Sequence, residues 1–339
     1  MKVLFIGGTG TISSAISALA IEKGMDLYLL NRGNHATFMP ENAKVITADI
    51  NDEDIVLKCL EGFSFDVVVD FIAFDTGHIE RDYRLFKDKT KQYIFISSAS
   101  AYQKPLSSPF ITESTPLSNP YWKYSRNKIA CEELLMEKYR SKGFPITIVR
   151  PSHTYGNTSV PTALHGNNGS FSVIERIQKG KKVIVHGDGS TLWTLTYNKD
   201  FAKAFIGIMG NAHALGEAYH ITSDESLTWN QIYEIIGAAL GVQPKIVHIP
   251  SDVLSILSEK FDGGLLGDKT NTVIFDNAKI KKAVPNFTAT TRFDQGVRLA
   301  LDYIYSHKEC QKEDPEFDAW CDEVIEIYEG SITKLPKYE

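Results

Sequence analysis

Apolar residues in the first 150 positions come as short unbroken runs separated by stretches of helical periodicity. Lys2–Ile6 is a brief apolar run followed by glycines, and positions 12–23 repeat apolar residues at helical spacing until Gly24. Residues 27–30 and 43–47 read as a second and third strand, 53–60 as a helix, and 65–71 (FDVVVDF) as a nearly continuous apolar strand. Tyr93–Ile96 is a further strand, 122–142 a long helix and 146–149 the next strand. Strands without polar alternation are covered on both faces. The pattern therefore predicts an α/β fold, a doubly wound parallel sheet of the Rossmann type.

After Arg150-Pro151 the texture changes. Residues 157–170 are rich in Gly, Asn, Pro and Thr and read as loop. Beyond them, short strands at 183–186 and Lys245–Ile249 mix with helices at 172–179, Trp229–Leu240 and 293–307. This predicts a smaller α+β lobe interleaved with the first domain. Residues 1–152 form the dinucleotide domain, segments return to it from about 190–225, and 153–339 supplies the substrate lobe and C-terminal helices. Apolar positions 317, 320, 321, 324, 325 and 328 form an amphipathic helix that packs on its own domain or on a partner.

Composition narrows the function classes. With 36 Lys and Arg against 42 Asp and Glu, the net charge is −6, which gives no footprint for nucleic acid or an anionic membrane. No run approaches the ~18 apolar residues of a membrane span. Lys2 leads directly into a strand, so no secretory leader is expected and the protein is expected in the cytoplasm. The four cysteines lack metal or redox spacing and the nine histidines lack paired ligand spacing, so reduced thiols and no metal site are expected.

Candidate chemistry begins at the first turn. Gly7-Gly8-Thr9-Gly10-Thr11-Ile12-Ser13 follows the first strand and opens the first helix, where glycines let the chain approach a pyrophosphate and helix N–H groups bind its charge. Gly7 and Gly10 fit the spacing, and Ser13 stands at the third glycine position. The second strand ends Leu30-Asn31-Arg32-Gly33. A carboxylate there would hold an NAD ribose, whereas an amide and a guanidinium suit a 2′-phosphate, so NADP is expected with NAD as the alternative. Asp49-Ile50, after the third strand, either flanks the adenine or caps the following turn. Tyr124 and Lys128 lie four apart on one helix face, where an ammonium favours the phenolate over the phenol. The Ser98 hydroxyl could hold a substrate oxygen against that tyrosine.

Over roughly residues 1–240 these motifs resemble the extended short-chain dehydrogenase/reductase superfamily, the NAD(P)-dependent epimerase/dehydratase group. The resemblance rests on GGTGTIS, Asp49-Ile50, Phe95-Ile96-Ser97-Ser98, Tyr124-xxx-Lys128, the run Arg150-Pro151-Ser152-His153-Thr154-Tyr155-Gly156, and Gly187-Asp188-Gly189 with Asp200-Phe201-Ala202 beyond. It implies Ser98, Tyr124 and Lys128 as the catalytic set, Tyr124 moving the proton and Lys128 holding the nicotinamide ribose. It further implies cofactor contacts at Gly7, Gly10, Thr11, Ile12, Asn31, Arg32, Asp49, Ile50, Ala73 and Pro151, and substrate contacts at Ser100, His153 and Trp193. His153 stands where the family often has a substrate-contacting Asn, its alternative being a structural histidine at the domain junction. Trp193 could stack on a sugar ring. The implied chemistry is hydride transfer at a carbinol or ketone carbon of a sugar-like substrate, as an epimerase or dehydratase. The family commonly dimerises through the YxxxK helix, so a homodimer is expected, with Cys131, Leu134, Leu135 and Tyr139 either forming its seam or facing the home sheet.

Two departures stand out. Only about twenty residues separate Ala73 from the strand at Tyr93, where the family has a longer helical crossover. The Arg that grips a nucleotide-sugar pyrophosphate is replaced within Leu192-Trp193-Thr194, which argues against a nucleotide sugar. Both features look like the branch containing the chloroplast stem-loop-binding proteins. An NADPH-dependent ketone reductase is therefore one alternative, and a non-catalytic nucleic-acid-binding or scaffold protein is another.

Overall fold

The computed structural model describes residues 1–33 and 40–338. His35 lies outside the described residues. The chain divides into two compact units: residues 1–154, 196–224 and 275–290 form the first, and 155–195, 225–274 and 291–339 the second.

The first unit is built on seven strands: β1 (Lys2–Ile6), β2 (Asp26–Asn31), β3 (Lys44–Thr47), β4 (Val67–Asp70), β5 (Tyr93–Ile96), β6 (Ile146–Pro151) and β7 (Ala218–Ile221). They form one sheet in the order β7–β6–β5–β4–β1–β2–β3, with every registered pair parallel. Among the described residues up to 142 there are four α-helices: α1 (Thr11–Glu22), α2 (Glu53–Cys59), α3 (Thr76–Phe86) and α4 (Lys123–Lys142). Two apolar layers fill the faces of the sheet. One gathers Val3, Phe5, Val69 and Ile94 with Phe201 and Phe205; the other gathers Leu4, Val68, Tyr93 and Phe95 with Cys131 and Leu135. The expected covering of both strand faces is thus the observed one. Strand order reverses between β1 and β4, the switch point where such sheets leave a crevice at their C-terminal ends.

The short crossover 73–93, left without an element by the hydrophobic pattern, contains α3. Asp75 caps it, accepting a hydrogen bond from the His78 N–H (3.1 Å). Its buried face carries charges beside Ile79, Leu85 and Phe86, because Arg81 and Asp82 are ion-paired there. Segment 275–290 is a second return to the first unit that the sequence pattern does not announce.

In the second unit Lys182–His186 pairs in parallel with Lys245–Ile249. Trp229–Leu240 begins with a capping box between Thr228 and Gln231 and stops at Gly241 in the left-handed conformation. The amphipathic C-terminal helix, Pro315–Ile332, packs on its own unit, against Phe171–Gln178 and Lys182–His186, with Phe317, Cys321 and Ile325 buried. Arg176, buried beneath it, donates to Asp318 and Asp322 (2.6 Å each). Among the described residues no helix is long and apolar enough to cross a membrane.

Candidate active site

The loop after β1 turns on two glycines with positive φ, Gly7 (+95°) and Gly8 (+91°). A Cβ on Gly8 would lie 2.7 Å from the Leu29 Cδ2, so the loop is pressed against β2. Its shape is fixed by Gly7 N–H donating to Leu30 O (3.1 Å), Ser17 Oγ to Gly8 O (3.1 Å) and Gly10 N–H to Ser13 Oγ (2.8 Å). Ser13, standing for the third glycine, is buried and spends its hydroxyl on the turn. Thr11 and Ile12 open α1, and Asn198 Nδ2 donates to Thr11 O (2.8 Å). A glycine-rich bend ahead of a helix N-terminus is the cradle a dinucleotide pyrophosphate requires, so these residues fit the cofactor the sequence implies.

Asn31, at the end of β2, accepts from the Gly33 N–H through Oδ1 (2.9 Å), and Arg32 beside it is exposed. Asp49 uses Oδ1 on its own turn, accepting from both Asn51 N–H (2.9 Å) and Asn51 Nδ2 (3.0 Å), the capping arrangement. Ile50 is buried in the core. Arg81 connects this turn to β4, donating to Asn51 Oδ1 (2.8 Å), Asp70 Oδ2 (3.0 Å) and Asp82 Oδ1 (2.9 Å). Burial, then the charge of Asp70, pushes the Asp82 carboxyl well above the usual range.

The ends of β4 and β5 meet α4 at Lys128. Its ammonium donates to Ala73 O and Ile96 O, 2.7 Å each, and lies 4.8 Å from the ring centroids of both Phe74 and Phe95. The Tyr124 ring, one turn earlier, is 5.7 Å away and half-buried. Burial lowers the Lys128 pKa to about 8, against the upward pull of Cys131, Asp70 and Glu132. A hydroxyl chain reaches α4 from the other side. Ser98 Oγ and Ser100 Oγ are 2.8 Å apart, and Ser125, the neighbour of Tyr124, donates to Ser100 Oγ (2.7 Å). Ser98 and Ser100 are thus tied to α4 at Ser125, and Ala73 is tied to it at Lys128, one turn from Tyr124.

Sequence reasoning missed two supports. Asn119 Nδ2 donates to Ser100 O (2.8 Å), and its Oδ1 accepts from the Tyr121 and Trp122 N–H groups (3.2 Å each), setting the entry to α4. Glu132, one turn beyond Lys128, accepts from Arg150 Nη2 (2.6 Å) and Nε (3.0 Å) and from Ser97 Oγ. Burial opposes the Arg150 charge, but the hydrogen bond and charge of Glu132, together with Tyr102, outweigh it, and the Arg150 pKa is raised. Pro151 follows at the buried end of β6, and His153 is half-buried beyond it.

Two placements bear on the sequence expectations. Trp193 belongs to the second unit, is 2% exposed and packs on Trp229 with ring centroids 5.6 Å apart, so it is a core group and no open platform for a sugar. Cys131 and Leu135 lie in the apolar layer of the home sheet, and Leu134 and Tyr139 pack against it, the second of the two placements the sequence left open. Among the described residues no cluster of His, Cys, Asp and Glu could hold a metal ion.

The model of the NAD dependent epimerase/dehydratase family matches residues 3–85 and 84–222. UDP-glucose 4-epimerase of Lactobacillus helveticus is 30% identical over 332 residues, covering 91% of this chain and 98% of that one. The chloroplast stem-loop binding protein of 41 kDa b of Arabidopsis thaliana is 28% identical over 261 residues, 73% of this chain and 65% of its own length. Among solved structures, UDP-glucuronic acid 4-epimerase of Bacillus cereus, in complex with UDP-glucuronic acid and NAD, superposes with a TM-score of 0.72 at 18% identity, over 90% of this chain and 99% of that one.

Proposed function

The chain belongs to the NAD dependent epimerase/dehydratase family, and on that premise we propose that it oxidises a carbinol of a sugar with Tyr124 as base and Ser98 and Lys128 as its support. The observation that carries this reading is the buried Lys128 ammonium one turn from Tyr124, with the Ser98–Ser100–Ser125 hydroxyl chain docking the Ser98 strand end on the same helix. The Ser98 hydroxyl holds the substrate oxygen and the Tyr124 phenolate takes its proton. Lys128 stabilises the phenolate and, with the cofactor bound, the nicotinamide ribose. The nicotinamide, when bound, supplies the hydride acceptor at the carbinol carbon. The loop from Gly7 to Ile12 holds the pyrophosphate, and Pro151 lines the nicotinamide.

The dinucleotide is NADP. Exposed Arg32 beside Asn31 supports a 2′-phosphate, and no carboxylate at that position repels it. The substrate is a sugar nucleotide: a relative named UDP-glucose 4-epimerase is matched over nearly its whole length. A second reading, reduction of a ketone that carries no nucleotide, is favoured by Leu192-Trp193-Thr194, the segment that replaces the phosphate-gripping arginine of the resemblance, in which Trp193 is a core group.

Denaturing the purified protein and assaying released nicotinamide nucleotide tests the two. Cofactor that stays bound through purification and returns its hydride to the same molecule supports an epimerase or dehydratase. Protein that purifies empty but binds NADPH supports the reductase, and binding of neither dinucleotide sinks the enzyme reading.

A further inference from the structure

We propose that Glu132 is a positioning residue for this site: one buried carboxylate fixes the ends of β5 and β6 against the helix that carries Tyr124 and Lys128. The inference rests on the reading of Tyr124 and Lys128 given above. Positions 124, 128 and 132 form one stripe of α4, and Glu132 is its last member, 2% exposed. Its oxygens accept from three side-chain groups on two strand ends. Ser97 Oγ donates to Oε1, holding the residue that precedes Ser98. Arg150 donates Nε to Oε1 (3.0 Å) and Nη2 to Oε2 (2.6 Å), holding the residue that precedes Pro151. Arg150 Nη1 also reaches Glu113 O (3.3 Å). A carboxylate so placed fixes the spacing between the Ser98 hydroxyl, the Tyr124–Lys128 pair and the chain at Pro151. Displacing any of these by about 1 Å costs up to about 100-fold in such sites.

Glu132 can also be reached from outside. It and Arg150 form part of the wall of a cavity of about 670 Å³ in the first unit, which Glu113, Arg140, Ile148 and Lys279 also line. Truncating Glu132 to alanine removes its Cγ methylene and its carboxylate, together the heavy atoms of acetate. The truncation opens onto that cavity, so acetate from solution has a path to the vacated place beside Arg150.

The test compares two probes, NADPH and its adenosine half, adenosine 2′,5′-bisphosphate (NADH and ADP if the native protein prefers NADH). Only the dinucleotide reaches Lys128 and Pro151. In Glu132→Ala, dinucleotide binding weakens about tenfold or more while the adenosine half binds as before, because its loop and Arg32 lie away from Glu132. Acetate at about 0.2 M restores most of the lost dinucleotide affinity, and sodium chloride of equal ionic strength does not. Equal weakening of both probes, in step with a fall in melting temperature, overturns the proposal and leaves Glu132 a brace of the fold. Unchanged dinucleotide binding overturns it as well. A native protein that binds neither dinucleotide overturns the functional reading and this inference with it. If the alanine variant does not fold, Glu132→Gln carries the same two-probe comparison: it keeps an acceptor for Ser97 and loses the charge facing Arg150.

Discussion

Lys128 holds its charge between two carbonyls and two phenylalanine rings, and that position has a measurable consequence for pH. In the folded protein its pKa is lowered to about 8, whereas in an unfolded chain a lysine titrates near ~10.4. Below about pH 8 both states hold the proton and the burial penalty is present in full. Between the two values the unfolded chain binds more protons, so stability rises with pH through that window. Urea unfolding from about pH 7 to about pH 10 therefore gives a rising stability in the native protein and a flatter profile in Lys128→Met. Turnover moves the other way, falling as pH passes about 8, since a neutral amine no longer supports the phenolate. Tyr124→Phe lowers turnover by roughly 10²–10⁴-fold with melting temperature and cofactor binding retained; full turnover in that variant would remove Tyr124 from the proposed role. At this scale the spacing of Ser98, Tyr124 and Lys128 was readable because the three are held by one strand end and one helix face. Glu132 continues the same stripe, and a carboxylate on a buried helix face calls for a cation. Its partner, however, sits 18 residues away at the end of an apolar strand, and no local periodicity joins the two.

At the scale of elements, the strands and helices of the first unit follow from unbroken apolar runs and glycine stops, which is why their order was legible from the pattern alone. Where charge is buried the pattern fails. The face of α3 reads as polar because Arg81 and Asp82 interrupt it, although they are paired with each other and with Asp70 inside the fold. The return of 275–290 was equally invisible, since a change of unit along the chain leaves no mark in local hydropathy. Two substitutions test how elements are held. Gly8→Ala places a Cβ 2.7 Å from Leu29 Cδ2 at φ +91°, so it destabilises by about 1–3 kcal/mol and abolishes dinucleotide binding, read by denaturant unfolding and fluorescence titration. Arg176→Ala strips the clasp from the helix Pro315–Ile332. Asp318 and Asp322 are partly exposed and keep Lys181 as a partner, so the expected loss is about 1–3 kcal/mol, well below that of a fully buried pair. Proteolysis confined to the last helix in that variant, with the first unit still binding dinucleotide, is the accompanying signature.

For the whole molecule, the charge balance and the cofactor loop pull in different directions. A net charge of −6 repels anions at long range, so affinity for a 2′-phosphate has to come from a local cation, and Arg32 is the exposed one beside Asn31. A ligand that binds only the native state raises its stability by RT ln(1 + [L]/Kd), about 2.7 kcal/mol at 100 times Kd. Thermal unfolding with equal concentrations of NADPH and NADH thus ranks the two without a known substrate. NADPH is expected to raise Tm more than NADH in the native protein, and the difference is expected to shrink as salt screens Arg32. Arg32→Ala removes most of the NADPH advantage while leaving the NADH shift unchanged. Asn31→Asp reverses the order, since a carboxylate there accepts from a ribose 2′-hydroxyl and repels a phosphate. A native protein stabilised more by NADH, or an Arg32→Ala variant with its NADPH preference intact, would reassign the cofactor to NAD. The family membership and the Tyr124–Lys128 chemistry do not depend on that outcome, because neither involves the adenosine ribose.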